Sequence, residues 1–309
     1  MKALRDAFGD EILLVGKENP NIYLIDCDVG KSCKTVPFKE ALPEQYLNVG
    51  IAEQNAADVG AGLATYGKIP FVATYAAFGS MRMCEQIRQE ICYPKLNVKI
   101  ACSHGGFTPA NDGASHQSIE DYGIMRTLPN MTVIVPCDYY SARRLIRAAA
   151  EHEGPAYLRF TRDAVPFIYD ENDVNFEIGK SRVLREGKDA CIIAAGAIMS
   201  MVMESCDILE AQGISVRLID MHTIKPIDKE AVLNAINDIG KIVTVEDHNI
   251  INGLGCAVCE IVAEEGKGKV KRMGALDQFG ESGPYYKLLA KNGVTAQNIA
   301  NEVMKLVQE

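Results

Sequence analysis

The chain has 309 residues, with 41 acidic against 32 basic side chains, a formal net charge of -9 and no tryptophan. At roughly 100–200 residues per domain this length predicts two domains. The acidic balance, with no run of five or more basic residues, excludes an extended nucleic-acid surface, because phosphate binding over a large area needs a basic patch. The longest apolar run, Ala190 to Met203, is shorter than the ~20 residues that cross a membrane as a helix. The N-terminal stretch "MKALRDAFGDEILL" has no signal-peptide layout. Ten cysteines are scattered, several inside apolar runs (Cys27, Cys102, Cys137, Cys191). That pattern is the one of buried free thiols, so a reducing, cytoplasmic location is expected.

In chain order, short apolar runs alternate with longer stretches of helical spacing. Strands are predicted at "NIYLIDCDV" (21–29), "YLNVGI" (46–51), "IPFVATY" (69–75), "NVKIACSH" (97–104), "MTVIVPCD" (131–138) and "AYLRFTR" (156–162). Each is apolar enough to be covered on both faces. Helices are predicted over 53–67, 78–93 and 139–154. The alternation implies an α/β fold, a parallel sheet between helical layers. From Asp163 to Asp189 the sequence turns polar and loses any sustained period, which reads as a linker. The rhythm resumes with strands at 190–197, 215–223, 241–248 and 270–276, and two helices close the chain. We therefore expect a first domain over 1–165, a linker over 166–186 and a smaller α/β domain over 187–309.

Ligands of open α/β sheets sit beyond the carboxyl ends of the strands. The polar residues at those ends are Asp28 to Ser32, Glu53, Tyr75 to Phe78, His104, "NDGASHQ" (Asn111 to Gln117) and Arg162. Each has a bland alternative. Glu53 suits the first turn of a helix for dipole reasons alone. Phe78 suits a core, the histidines suit structural hydrogen bonds, and Arg162 suits a surface ion pair. Their convergence on one sheet edge is more informative than any single member. Gly60–Gly62 and Gly253–Gly255 lack the full dinucleotide spacing and read as close helix packing. Cys256 and Cys259 lack two further zinc ligands and also read as packing.

The blocks "NVGIAEQNAADVGAGLA", "PFVATYAAFGSMR", "DGASHQSIED" and "GPAYLRFTR", in this order and spacing, resemble the pyrimidine-binding domain of transketolases. "HTIKPID" and "VEDHNIINGLG" resemble the C-terminal domain of the same family. The resemblance implies a thiamine-diphosphate-binding pyrimidine domain with a parallel sheet, followed by a smaller α/β C-terminal domain. It implies that Glu53 hydrogen-bonds the aminopyrimidine N1′ of thiamine diphosphate, a pairing favoured by a dry, apolar wall. Phe78 corresponds to the aromatic stacked on the pyrimidine, and Tyr75 to a second wall. Asp28 would face the thiamine. His116 matches an active-site histidine, Asp112 a carboxylate that orients a substrate hydroxyl, and His104 a substrate-binding histidine. Arg162 matches the arginine that holds the sugar phosphate, with Arg5 and Ser32 as two further phosphate contacts.

The chain contains no Gly-Asp-Gly, the metal-diphosphate motif of the family's other domain, and no carboxylate cluster that would take its place; no metal site is expected on it. The resemblance thus implies the second subunit of a split transketolase of the pentose phosphate type. The subunit would be active only with a diphosphate-binding N-terminal subunit that shares the cofactor and carries Mg2+ or Ca2+. Self-association in a heterotetramer and sugar phosphate substrates are expected with it. Two relatives carry similar blocks: the beta subunit of thiamine-dependent 2-oxo-acid dehydrogenases and deoxyxylulose-phosphate synthase. The first lacks a "DGASHQ"-type block and the second is normally one long chain. A non-catalytic regulatory subunit is a further alternative; a substituted Glu53 or Phe78 would favour it, and both residues are present.

Overall fold

In the computed structural model, which describes all 309 residues, the six early apolar runs fold as Ile22–Asp26, Tyr46–Asn48, Ile69–Tyr75, Lys99–Ser103, Thr132–Ile134 and Ala156–Arg159. Side chains such as Ile22, Leu24, Ile25, Phe71, Val72 and Ile100 are fully buried. Each such burial stabilises by about 1.5–3 kcal/mol, which is why these runs need no polar alternation. The six strands pair in parallel in the spatial order Thr132–Ile134, Ala156–Arg159, Lys99–Ser103, Ile69–Tyr75, Ile22–Asp26, Tyr46–Asn48. Ile22–Asp26 therefore has Tyr46–Asn48 on one side and Ile69–Tyr75 on the other. The connection leaving Ile22–Asp26 runs to one side, to Tyr46–Asn48, and the one leaving Ile69–Tyr75 runs to the other, to Lys99–Ser103; between them a crevice opens at the carboxyl ends, the topological switch point where α/β sheets bind ligands.

A second sheet follows in the order Lys269–Ala275, Lys241–Asn249, Ala190–Ala195, Val216–Asp220, Arg182–Arg185. Only its last strand is antiparallel. Helices Tyr285–Lys291 and Ala296–Gln308 close the chain. Buried residues from both halves of the chain, among them Phe107 and Ile119 from the first and Tyr285 and Leu288 from the second, belong to one continuous core.

The structure departs from the sequence expectation in three places. Arg182–Arg185 lies inside the stretch read as an irregular linker, yet it is an edge strand paired with Val216–Asp220. Arginines stand at both ends of it, with Val183 exposed between them, and charge at a sheet edge is a common guard against edge-to-edge association. The run 215–223 is not one strand. It ends at Asp220, and Thr223–Lys225 crosses to pair antiparallel with Thr132–Ile134 as the outermost strand of the first sheet. Finally, the helical stretch 78–93 is wide at both ends, with π-helical turns over Phe78–Arg82 and Ile87–Cys92. Such turns concentrate at functional sites.

Candidate active site

Helix Glu53–Thr65 begins on the carboxylate itself, and Glu53 is only 3% exposed. The first turn of a helix favours a negative charge. Both carboxylate oxygens accept from a single nitrogen, Nη1 of Arg82, at 2.9 Å each. The Arg82 guanidinium also lies over the Phe78 ring, its Cζ 4.2 Å from the centroid. One planar cation thus stacks on the aromatic face and donates to the buried carboxylate, and its side chain is 48% exposed. The wide turn Phe78–Arg82 brings the two side chains together.

Four rings continue this surface. Tyr75 lies 4.0 Å from His104, 5.8 Å from Phe78 and 6.0 Å from His116, measured between centroids, and Phe78 lies 5.4 Å from His116. Tyr75 ends its strand, and His104 directly follows Lys99–Ser103. His104 adopts a left-handed backbone (φ 64°), as does Asp28 (φ 62°). For side chains other than glycine this is an uncommon conformation that gathers at functional sites. Ser103 Oγ lies 2.6 Å from His104 Nδ1, and the Cys33 thiol lies 3.2 Å from the same Oγ. Burial first, then the nearby charges of Arg5, Arg162 and His116, push His104 down to about 3. It is neutral at pH 7 and sits where positive charge converges.

Asp28, Ser32 and Tyr75 line one cleft of about 350 Å3 at the switch point, together with Lys31, Lys39 and Asn48. Asn48 Nδ2 donates to Asp28 Oδ1 at 3.0 Å, and Arg5 Nη1 donates to the Ser32 carbonyl at 3.1 Å. Arg162 pairs with Asp112 at 3.1 Å and donates to the Pro109 carbonyl at 2.8 Å. His116 is partly buried, with Ser115 Oγ 3.0 Å from its Nδ1. Glu53, Phe78, Tyr75, Asp28, His116, His104, Asp112, Arg162 and Ser32 lie at the carboxyl edge of the first sheet or in the segments leaving it, and Arg5 reaches the same edge from helix Leu4–Glu18 through Thr161 and Ser32.

Sequence reasoning missed Arg82, Ser103 and the thiol of Cys33. Arg82 carried a usable signal: it stands four residues after Phe78 in a helical stretch, a spacing that places two side chains on one face. Ser103 had none, since its role depends on the backbone turn at His104. Cys256, one of the pair read as packing, has its sulfur on the Ile250 carbonyl at 3.2 Å and on Arg272 at 3.1 Å.

Fold and site together define a two-sheet α/β protein with an aromatic and carboxylate cleft at a switch point, flanked by cationic groups. Residues 1–167 match the transketolase pyrimidine-binding domain and residues 179–299 the transketolase C-terminal domain. The chain belongs to the transketolase family. It is 44% identical over 306 residues to a putative transketolase C-terminal section from Methanocaldococcus jannaschii, with 98% of this chain and 96% of that protein covered. It is 37% identical to a 6-deoxy-6-sulfo-D-fructose transketolase subunit from a Clostridium species, covering 99% and 94%. A solved structure described as a split-gene transketolase, an inactive beta4 tetramer, superposes with a TM-score of 0.93 at 46% identity, covering 100% and 99%.

Proposed function

We propose that this chain is the pyrimidine-binding subunit of a split transketolase, moving a two-carbon ketol unit from a ketose phosphate to an aldose phosphate once a diphosphate-binding subunit completes the site. The observation that carries the reading is the pairing of the buried Glu53 carboxylate with the Phe78 face, both held by the Arg82 guanidinium. An aminopyrimidine needs those two things, a carboxylate to bond its ring nitrogen and an aromatic surface to lie on. Arg82 meets both with a planar, donor-bearing cation, so the residues fit the group. When bound, thiamine diphosphate supplies the nucleophilic carbon that accepts and hands on the two-carbon unit.

The chain's own part is to bind, orient and move protons. Glu53 holds a proton against the ring nitrogen, Phe78 and Tyr75 wall the ring, and Asp28 faces the thiamine. His116 and Asp112 hold substrate hydroxyls. The neutral His104, with Nδ1 tied to Ser103, offers its other ring nitrogen to the sugar. Arg162, Arg5 and Ser32 take the terminal phosphate, a role suited to guanidinium forks. A relative named for a sulfonated sugar supports an anionic substrate terminus. The diphosphate's Mg2+ or Ca2+ belongs to the partner. Co-purified with that partner, the chain is expected to form a two-by-two heterotetramer that binds thiamine diphosphate. Light scattering combined with calorimetry tests it. A complex that forms without acquiring cofactor affinity would overturn the reading.

Arg82 gives a separate prediction. Its guanidinium must leave Phe78 and Glu53 for the pyrimidine to enter. The pair is half-exposed on the arginine side, so its contribution is discounted for solvent screening. Arg82→Ala in the complex is expected to tighten cofactor binding about 3- to 10-fold, read by calorimetric titration, and to lower the melting temperature of the free chain. Weaker binding in the variant would mean that the guanidinium holds the cofactor rather than yielding to it.

A further inference from the structure

The loop from Gly105 to Ser118 carries Asp112 and His116, and it is closed at its base by two hydrogen bonds, Gly106 N–H to the Ser118 carbonyl (2.8 Å) and Ser118 N–H to the Gly106 carbonyl (3.0 Å). Arg162 ties it from the first half, through Asp112 and the Pro109 carbonyl; further ties come from the second half of the chain and from a buried arginine that bridges to it. At the base, Asp247 Oδ1 accepts from Phe107 N–H at 3.1 Å, and Oδ2 accepts from the Tyr285 hydroxyl at 3.2 Å. Gly106 is required there. It has φ 61°, and a Cβ on it would come within 2.1 Å of Asp247 Oδ2. Arg159 donates from Nη2 to both the Ser118 and the Asp247 carbonyls, at 3.1 and 2.6 Å.

At the tip, Ser282 Oγ donates to the Asn111 carbonyl at 2.7 Å, one residue before Asp112. Gln117 Nε2 donates to the Ala110 and Glu281 carbonyls at 3.1 and 2.8 Å, one residue after His116. The segment Gly280–Gly283 thus straps the loop on either side of the two residues that face substrate, while Asp247 anchors its base. None of these contacts reaches Glu53 or Phe78.

We infer that Asp247 and Ser282 are positioning residues through which the C-terminal domain holds Asp112 and His116 in register with the substrate. The assignment of those two residues to substrate rests on the function proposed above. A fixed loop matters because small misplacements of substrate-orienting groups cost rate steeply.

The test uses the complete two-subunit enzyme with Ser282→Ala, Asp247→Ala and Asp247→Asn, the last of which keeps an oxygen acceptor for Phe107. Three readouts are compared: kcat/KM for a ketose phosphate, exchange of the cofactor C2 proton by NMR, and hydrogen–deuterium exchange of amides 105–118. Expected are losses in kcat/KM of about 3- to 10-fold for Ser282→Ala and about 10- to 100-fold for Asp247→Ala, with most activity restored in Asp247→Asn. The C2 exchange should stay within about twofold, because neither substituted residue contacts Glu53 or Phe78. Amide exchange in the loop should accelerate in both alanine variants. Ser282 is exposed, so that variant decides the matter even where Asp247→Ala fails to fold. Unchanged loop protection in Ser282→Ala, or C2 exchange falling in step with kcat/KM, would overturn the inference. Loop protection needs no turnover, so a wild-type complex without ketol transfer would sink the proposed function and leave the positioning result readable.

Discussion

Glu53→Gln is expected to lower turnover of the assembled enzyme by about 10²- to 10⁴-fold, the range of a lost general acid–base group. The amide keeps the shape of the side chain and a hydrogen-bond acceptor, but it cannot hold and return a proton. The fold should survive. Glu53 is a helix-first residue whose helix is built on buried Ala56, Ala57, Gly60 and Ala61, and the dipole contribution of a first-turn acid is only about 0.3–1 kcal/mol. The charged pair with Arg82 weakens, and the guanidinium is freer to leave Phe78. Cofactor binding should therefore persist while exchange of the cofactor C2 proton, followed by NMR, slows with turnover. Normal exchange in the variant would reduce Glu53 to a helix-terminal charge that partners Arg82.

Arg162→Ala should cost about 10- to 150-fold in kcat/KM for a phosphorylated donor, the worth of one hydrogen bond to a charged group. Most of the loss belongs in KM, because a remote phosphate binds alike in ground and transition states. An unphosphorylated donor separates the phosphate contact from the other work of this residue. Arg162 also pairs with Asp112 at 3.1 Å and ties the Pro109 carbonyl, so the loop loses a support whatever the substrate. The unphosphorylated donor should lose activity too, by less than the phosphorylated one, and the excess loss measures the phosphate contact. Equal losses on both donors would assign Arg162 to the loop alone.

Much of the fold could be read locally. The run "IPFVATY" is a strand over the same residues, 69–75, because a doubly covered strand declares itself by an unbroken apolar sequence. The site was legible for a related reason. In a parallel sheet each polar residue after a strand falls at the same edge, so order along the chain becomes proximity in space. What escaped were contacts whose partners lie far apart in sequence. Asp247 reaches Phe107 across 140 residues, and Thr223–Lys225 joins a sheet begun two hundred residues earlier. Neither leaves a periodic trace. Arg82 escaped differently. Its charge reads as surface, although its spacing of four from Phe78 in a helical stretch already placed the two side chains on one face.

The most direct measurement is steady-state ketol transfer by the purified chain with thiamine diphosphate and Mg2+, alone and after addition of a diphosphate-binding subunit that carries a Gly-Asp-Gly motif. The chain holds no group of three or more histidine, cysteine, aspartate or glutamate side chains arranged to hold a metal ion, and a diphosphate in a dry site needs a divalent ion to neutralise it. No transfer by the chain alone, and transfer on mixing, is the predicted result. Turnover by the chain alone would contradict it.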